Sequence, residues 1–403
     1  MSKEPEDLSA LVRRLNESVR TGESHTDSAR GALGGQHARS GEAPVDAGAF
    51  PIGVSLDDLL TEAVARGASD LLLVAGVPPV VRVNGALART DGEPLTSAAT
   101  RAYPLYLLDE AAYREFLRGK ASDFTFERPG LGRFRCDLHF QRGTVALSIR
   151  VLPSEVPTLQ ELNLPATYAR FAELSRGLVL FCGPTGCGKS TTMAALVGLI
   201  STTRAAHVVA IEDPVEYVHP QARSVVEQIE VGRDSPSFAA ALRHALRQNP
   251  DVILVGEMRD LETIAIALTA AETGHLVYST LHTPDVAQTV DRIVDSFPDS
   301  QQNQIRQQLS LSLAGIAVQV LLPSSNGPRR LPACEILFAN DPIRNLIRTG
   351  KNHQIHSQLT MGRKEGMLTM EESLASLVRA GRVSREEAIL RAAHTDEFLA
   401  HLG

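Results

Sequence analysis

The chain has 403 residues, a formal charge of −7 and 43% hydrophobic residues, a composition that predicts a globular protein of about two to three domains. The acidic balance, the aromatic content of 4% and the lack of Trp argue against a protein dedicated to nucleic-acid binding. The charged start of the chain, and apolar runs well short of ~18 residues, predict a cytoplasmic protein without a membrane span. The four cysteines form no C-x-x-C pair, which predicts free thiols rather than disulfides or structural zinc.

Residues 1–49 are predicted to form a disordered or tethered extension, because they contain no aromatic residue and are dominated by small and polar residues after position 20. Within them, an apolar stripe at helical spacing predicts one amphipathic helix of about four turns. The stripe consists of Leu8, Leu11, Val12, Leu15 and Val19. This helix either docks on a partner or on the body of the protein, or is a frayed tail helix without a role, since short isolated helices are marginal in water.

Residues 50–152 are predicted to form a small α+β domain. Ser55 followed by Asp58 predicts the start of a helix that runs through about residue 66, where Gly67 supplies a left-handed stop. Asn84-Gly85 predicts a hairpin. The predicted strands are 71–74, 80–83, 123–126, 133–139 and 145–151. Residues 153–160 contain two prolines and no periodic pattern, and they predict a hinge linker.

Apolar strands alternate with helices through residues 161–340, which predicts an α/β fold with a doubly wound, mostly parallel sheet. The strands are placed at 178–181, 207–211, 252–255 and 276–280, with a further strand at 334–338. Residues 341–403 are predicted to form a C-terminal helical region. At its start, Asp341 is predicted to cap a helix that carries Pro342 in its first turn. The predicted apolar stripe of this helix is Ile343, Leu346 and Ile347.

A complete phosphate-binding pattern, G-x-x-x-x-G-K-[ST], lies directly after the first of these strands and before a predicted helix over 191–200. In such a loop the backbone N–H groups surround a polyphosphate, Lys189 reaches the β- and γ-phosphates, and the Ser190 hydroxyl holds Mg²⁺. The sequence therefore predicts a RecA-like P-loop NTPase core that takes ATP and Mg²⁺. The residues predicted to bind the nucleotide are Gly183, Pro184, Thr185, Gly186, Cys187, Gly188, Lys189, Ser190 and Thr191.

Two predicted strands of the same sheet end in carboxylates. The strand at 252–255 is followed by Glu257, and the strand at 207–211 is followed by Glu212 and Asp213. One acid is expected to hold the metal shell, directly or through water, and the other to polarise the attacking water as a general base. The residues alone leave the division of these roles open, and an ordinary strand-end acid facing solvent is the alternative for each.

His282 lies just past the strand at 276–280, beside Thr280 and Thr283. This polar cluster is where a sensor of the γ-phosphate is expected, because ligand sites lie at the carboxyl ends of parallel strands. A structural histidine is the alternative.

Arginines are dense at the end of the first predicted domain. Because Arg suits bidentate phosphate contacts, some of them are candidates to complete the nucleotide site as fingers. The alternative is charge pairing along the strands with Asp123 and Asp137. The series consists of Arg133, Arg135, Arg142 and Arg150.

Together these motifs resemble the type IV pilus retraction (twitching motility, PilT) family of the secretion ATPase superfamily, over about residues 52–393. PIRNLIR at 342–348 is similar to the AIRNLIR motif that marks the retraction branch, with Pro342 in place of alanine. Ser279 stands where the family usually has Gly. The other matching segments are the Walker A motif at 183–191, the Asp box at 208–217, the Walker B motif at 252–260 and the His box at 273–283.

The resemblance implies a PAS-like fold for the smaller N-terminal domain and assembly into a homo-hexamer that couples ATP hydrolysis to pilin removal. It implies that Glu212 is the catalytic glutamate, that Glu257 lies on the Mg²⁺ side and that His282 senses the γ-phosphate. Arg135 and Arg150 would be arginines that reach the nucleotide. The implied partners are an inner-membrane pilus platform protein and the pilin machinery, contacted from the cytoplasm without a membrane span, and no nucleic acid is expected.

Three alternatives stay open. The first is an accessory or extension-type motor, although many type II secretion and extension relatives carry a four-cysteine zinc insertion that this sequence lacks. The second is a RecA-like nucleic-acid translocase, against which the net charge of −7 counts. The third is a nucleotide-gated scaffold, against which the intact Lys189, Glu212 and Glu257 count.

Overall fold

The computed structural model describes residues 54–403, which are arranged around two β-sheets. The predicted stripe at residues 8–19 and the predicted extension 1–49 lie outside the described residues. Within the described part, no helix is both long and apolar enough to cross a membrane. The domain boundaries given above stay predictions.

The first sheet has six antiparallel strands in the order β3-β2-β1-β6-β5-β4. The hairpin predicted at Asn84-Gly85 is confirmed, since Val83 pairs with Ala86 and both turn residues have positive φ, 51° and 85°. The strands are β1 (Asp70–Val74), β2 (Val80–Val83), β3 (Ala86–Arg89), β4 (Ala121–Arg128), β5 (Gly132–Gln141) and β6 (Thr144–Val151). This sheet therefore contains every strand predicted before residue 152.

Four helices accompany this sheet. The predicted helix start is confirmed: the Ser55 side chain accepts a hydrogen bond from the Asp58 backbone N–H at 3.2 Å, and the chain leaves the helix at Gly67 with a φ of 64°. The helix buries an apolar face that includes Leu56, Leu59 and Leu60. The helices are α1 (Leu56–Ala65), α2 (Ser97–Ala102), α3 (Pro104–Leu107) and α4 (Glu110–Gly119).

The second sheet has seven strands in the order β13-β12-β7-β11-β10-β8-β9. All neighbouring strands are parallel except the last pair in sequence, β12 and β13, so the mostly parallel sheet is confirmed. The four predicted central strands are found to within one residue at either end. The strands are β7 (Gly177–Cys182), β8 (His207–Glu212), β9 (Val225–Glu230), β10 (Val252–Val255), β11 (Leu276–Leu281), β12 (Leu313–Pro323) and β13 (Arg330–Phe338).

Two strands of this sheet are absent from the sequence prediction. Strand β12 is a long apolar run, and such a run fits a buried helix as well as a buried strand until its neighbours are known. Its pairing with β7 on one side and β13 on the other fixes it as a strand. Strand β9 follows β8 without an intervening helix and pairs with it in parallel at the edge of the sheet, against the predicted strand–helix alternation.

Eleven further helices in the described residues cover this sheet and form the predicted C-terminal helical region. They are α5 (Ala169–Glu173), α6 (Lys189–Thr203), α7 (Phe238–Ala245), α8 (Leu261–Glu272), α9 (Val286–Asp295), α10 (Asp299–Ser312), α11 (Asp341–Arg348), α12 (Ile355–Met361), α13 (Met370–Arg379), α14 (Arg385–Ile389) and α15 (Thr395–Leu402). Short 3₁₀ turns cover Ala166–Tyr168, Asn352–Gln354 and Gly362–Glu365.

Helix α11 corrects one prediction and confirms another. Asn340, not Asp341, caps this helix, because its side chain accepts from the Ile343 backbone N–H at 3.1 Å and Asp341 is already helical. The predicted apolar stripe of this helix is buried. On the opposite face, Arg344 donates to the backbone oxygens of Ser310 and Leu311 at the end of α10.

Phe171 is fully buried in the core that packs on the second sheet. Its ring contacts those of Phe181 and Phe338, with centroid distances of 5.9 and 4.9 Å, and its backbone oxygen accepts from the Tyr278 hydroxyl at 2.9 Å. Strand β12 passes directly over this ring at Gly315, where a Cβ would lie 2.6 Å from a Phe171 ring carbon. A residue without a side chain is therefore required there for β12 to reach β7.

Candidate active site

The phosphate-binding loop joins β7 to α6, and its three glycines have positive φ angles that side chains disfavour: Gly183 129°, Gly186 75° and Gly188 93°. The first turn of α6 begins at Lys189, so its free backbone N–H groups and positive end face the loop. The Lys189 ammonium is buried and donates to the backbone oxygens of Gly183 and Pro184 at 2.8 and 3.0 Å. The loop and the lysine thus form one hydrogen-bonded unit.

A cavity of about 820 Å³ opens beside this loop. All six residues predicted to act in catalysis line it: Arg135, Arg150, Lys189, Glu212, Glu257 and His282. Of the predicted nucleotide-binding residues, those from 185 to 191 also line the cavity, whereas Gly183 and Pro184 do not. The fold therefore brings together side chains from β5, β6, β8 and the segments that follow β10 and β11.

Glu212 is the last residue of β8. Its Oε1 accepts a hydrogen bond from the Gln228 amide on β9 at 3.0 Å. Burial raises the pKa of Glu212 to about 7, the neighbouring Glu216 adds to this, and the Gln228 hydrogen bond opposes it. A carboxyl group with a pKa near neutrality is suited to accept a proton and release it again, as a general base must.

Glu257 lies two residues beyond β10. One oxygen of its carboxylate lies 2.5 Å from the Arg259 Nε, and the other lies 3.7 Å from the His282 Nε2. Burial and the nearby Lys189 ammonium lower the pKa of His282 below its usual range, which favours a neutral imidazole at physiological pH. Glu257, Lys189 and His282 therefore form one electrostatic cluster at the strand ends.

The ends of β10 and β11 are tied together by hydroxyl groups. Thr280 donates to the Gly256 backbone oxygen at 2.7 Å, and the buried Ser279 donates to the Val255 backbone oxygen at 2.8 Å. Ser279 is the position at which the family usually has Gly, so in this chain the departure adds a bond between the strands that position Glu257 and His282.

Arg135 and Arg150 reach the cavity while paired to aspartates. Arg135 lies against both carboxylate oxygens of Asp123, with Nε to Oδ1 at 2.9 Å, and Arg150 Nε lies 3.0 Å from Asp70. The predicted pairing with Asp123 is thus confirmed for Arg135, whereas Asp137 contacts His139 instead, at 2.6 Å. Each of these two guanidinium groups therefore forms an ion pair on the face of the sheet and also lines the cavity.

Arg133 takes a different position from the other arginines of the series. It donates to the backbone oxygen of Val215 at 2.8 Å, just beyond Glu212. Nearby, the Thr125 hydroxyl of β4 donates to Glu230 at 3.1 Å, and Glu230 in turn accepts from the Val215 backbone N–H at 3.1 Å. These bonds join the antiparallel sheet to the segment that carries Glu212.

Two glutamines that sequence reasoning missed hold the site together. Gln319, buried in the middle of β12, donates to the Cys187 backbone oxygen at 2.6 Å and accepts from the Thr192 hydroxyl at 3.0 Å. Gln228 bonds Glu212 and also donates to the Tyr217 backbone oxygen at 2.7 Å. Gln319 could have been identified from the sequence, because it is the one amide inside the apolar run 313–322 and a buried amide needs hydrogen-bond partners.

Comparison with known proteins identifies relatives of the whole described fold. A family described as type II/IV secretion system protein matches residues 140–396. The type IV pilus retraction ATPase PilT of Pseudomonas aeruginosa is 43% identical over 345 residues, covering 86% of this chain and 100% of the relative. A twitching motility protein of Neisseria gonorrhoeae is 43% identical over 348 residues, covering 86% of this chain and 93% of the relative.

The same similarity holds in three dimensions. A crystal structure of the pilus retraction motor PilT with bound ADP has a TM-score of 0.79 to this chain at 43% identity. The superposition covers 85% of this chain and 98% of that structure.

Proposed function

The chain belongs to the type II/IV secretion system protein family, and we propose that it is a hexameric motor that hydrolyses ATP to retract type IV pili. One observation carries the proposal: the phosphate loop, two strand-end carboxylates and two arginines line a single cavity. The relatives support the cellular role, since they are named for pilus retraction and twitching motility. The motor would act from the cytoplasm on an inner-membrane platform protein and the pilin machinery.

The donor atoms of the cavity fit Mg²⁺. Ser190 supplies a hydroxyl and Glu257 a carboxylate, and hard oxygen ligands are those that Mg²⁺ prefers. We assign the ion to these two residues, with Glu257 acting partly through water. When bound with the nucleotide, Mg²⁺ neutralises charge on the β- and γ-phosphates.

Glu212 serves as the general base. It accepts the proton of the water that attacks the γ-phosphate in line, and its pKa of about 7 leaves much of it ionised at neutral pH. Gln228 fixes the direction of the carboxylate through the bond at 3.0 Å. Lys189 and the backbone N–H groups of the loop stabilise the charge that develops on the phosphoryl oxygens.

The remaining side chains link the reaction to the rest of the chain. His282 lies 3.7 Å from Glu257 and responds to the presence of the γ-phosphate. Arg135 and Arg150, which lie on the antiparallel sheet, place positive charge beside the phosphates and offset their negative charge. Arg133 donates to the Val215 backbone oxygen at 2.8 Å, so a shift of the segment beyond Glu212 when the γ-phosphate is lost would be carried to the antiparallel sheet.

The purified full-length chain tests the enzymatic part of the proposal. Mg²⁺-dependent ATP turnover by a hexamer is expected, measured by phosphate release and by light scattering. Glu212→Gln should bind ATP normally but lose ~10²–10⁴-fold in kcat, as loss of a general base does. Glu227→Gln, on the exposed face of β9, is the matched control and should behave as wild type. The two acids are reversed if Glu257→Gln alone binds ATP and fails to turn it over.

A genetic experiment tests the cellular part. In the organism that carries this chain, its deletion should leave cells with excess surface pili and no twitching motility. Wild-type chain should restore motility, and Lys189→Ala should not. Normal retraction in the deletion strain, together with ATP hydrolysis by the purified chain, would reject the retraction role and keep the ATPase.

A further inference from the structure

Three metal-ligating side chains converge in the C-terminal helical region, away from the phosphate loop. His356 lies on α12, Glu371 on α13 and Glu397 on α15. One ligand atom from each lies within 4.8 Å of the other two. The His356 Nε2 and the Glu397 Oε2 form a hydrogen-bonded pair at 2.7 Å, which a bound ion would replace. The three helices thus present an imidazole nitrogen and two carboxylates to one point.

Independently of this convergence, the Glu371 carboxylate is buried and only one of its two oxygens is hydrogen-bonded within the described part of the chain. It is only 1% exposed, and its Oε1 accepts from the backbone N–H groups of Ala393 and His394 at 3.1 and 2.9 Å. Its Oε2 is buried and has no hydrogen-bond partner among the described residues. A buried carboxylate oxygen without a partner costs free energy that a bound cation would recover.

The surroundings of the cluster are rich in carboxylates and imidazoles. Glu335, also buried, lines the same cavity of about 600 Å³ as His356 and Glu371. The ring of His394 lies on that of His356 at a centroid distance of 4.3 Å, and the His401 Nε2 lies 3.6 Å from Glu397. These two contacts involve His356 and Glu397, and neither is a hydrogen bond to the buried Oε2 of Glu371.

We propose that His356, Glu371 and Glu397 bind one divalent transition-metal ion of the Zn²⁺ class. An imidazole with two carboxylates suits Zn²⁺, Mn²⁺ or Co²⁺, whereas Mg²⁺ and Ca²⁺ prefer oxygen ligands alone. The cavity gives the ion a route to the cluster. Bound there, the ion cross-links α12, α13 and α15 and thereby stabilises the C-terminal helical region.

Metal titration of the full-length chain, purified without a histidine tag and stripped with a chelator, tests this assignment. Calorimetry with Zn²⁺ in the absence of nucleotide should show one tight site per chain, and Zn²⁺ should raise the melting temperature. Co²⁺ should give a visible absorption band from a His-containing site. Because changes in outer-shell partners alone weaken metal sites ~10–100-fold, His356→Gln and Glu397→Gln should each weaken binding by ~10-fold or more.

Two controls separate this site from other sources of binding. His139→Gln removes another half-buried histidine that is paired to a carboxylate, Asp137, and should leave the titration unchanged. Glu257→Gln should also retain the bound Zn²⁺, which would exclude the phosphate loop as its location. The proposal is overturned if wild type shows no stoichiometric Zn²⁺ binding, or if His356→Gln and Glu397→Gln, checked as folded by circular dichroism, titrate as wild type does.

Discussion

At the scale of single residues, we expect the ionisation of Glu212 to set how the proposed reaction responds to pH. Burial raises its pKa to about 7, and the hydrogen bond from Gln228 lowers it from a still higher value. Only the ionised carboxylate accepts a proton from water. In the proposed mechanism, the activity and its pH dependence therefore depend on the Gln228 amide of the neighbouring strand.

We expect kcat/KM to fall about tenfold per pH unit once the pH is well below 7, since the ionised fraction of Glu212 falls in that proportion. Gln228→Leu removes a hydrogen bond to the ionised form, so the acidic limb of the profile should move to higher pH. Turnover measured between pH 5 and pH 9 in buffers of constant ionic strength checks this. Gln304→Leu, at an exposed position of α10, is the control. An unmoved limb in Gln228→Leu would contradict the role of this amide.

The same shift makes a prediction for folding stability. The pKa of Glu212 rises from 4.5 in a model peptide to about 7 in the folded chain, so the folded state holds the proton longer than the unfolded state does. The contribution of this group to stability is therefore present below about pH 4.5 and is lost as the pH rises to about 7. Denaturation of Glu212→Gln by urea should show a weaker loss of stability over this interval than wild type shows.

Residues with a fixed spacing were predictable, and residues that act through a strand partner were not. Lys189 and Ser190 follow from the phosphate-loop pattern, and Glu212 and Glu257 from their position at the ends of apolar strands. Gln228 and Gln319 act through neighbours far away in sequence or on another strand. Their partners are fixed only when the strand order is known, and the sequence pattern did not give that order.

At the scale of elements, β12 supports the phosphate loop from the side. Gln319→Met keeps the length of the side chain but leaves the Cys187 backbone oxygen and the Thr192 hydroxyl without this partner. An unsatisfied buried polar group costs ~1–3 kcal/mol, so the loop should be less well ordered. We expect KM for ATP to rise ~10-fold with a smaller change in kcat. Gln304→Met is the control, and equal kinetics for the two variants would show that β12 does not position the loop.

The packing of β12 on the core gives a separate prediction. Gly315→Ala would place a Cβ 2.6 Å from a Phe171 ring carbon and 2.8 Å from the Leu337 backbone oxygen. Because neither the buried ring nor the strand backbone can move freely, the free energy of unfolding should fall by ~1–3 kcal/mol. Gly119→Ala, where no atom lies within 4 Å, should leave stability unchanged or raise it by up to ~1 kcal/mol. Chemical denaturation of both variants compares them, and equal midpoints would reject this packing argument.

The elements that alternate in the ordinary strand–helix order were predicted well, and those that depart from it were missed. Strands β7, β8, β10 and β11 are short apolar runs bounded by turns, and each was placed to within one residue. Strand β12 is a long apolar run that follows α10 directly, without a turn at its start, and β9 follows β8 with no helix between them. Only long-range pairing distinguishes these segments from a helix or a loop.

At the scale of the whole molecule, the nucleotide cavity is built by both sheets of the same chain. The second sheet contributes the loop and the carboxylates, and the antiparallel sheet contributes Arg135 and Arg150. Arg133 and Thr125 bond the two sheets beside the segment that carries Glu212. The described chain therefore contains every side chain that the proposed reaction uses.

From this arrangement we expect Arg135 and Arg150 to act on the nucleotide of their own chain. Subunits with Arg135→Ala and Arg150→Ala are mixed with Lys189→Ala subunits under conditions that allow exchange. If the arginines act within one chain, every site of a mixed ring lacks either the lysine or the arginines, so ATP turnover should not exceed the sum of the separate variants. If the arginines instead reached a neighbouring subunit, some mixed sites would be complete and turnover would recover. A parallel mixture of wild-type and Lys189→Ala subunits shows that exchange occurs and that a ring tolerates an inactive member. Recovery in the first mixture would place the arginines of one chain in the site of the next.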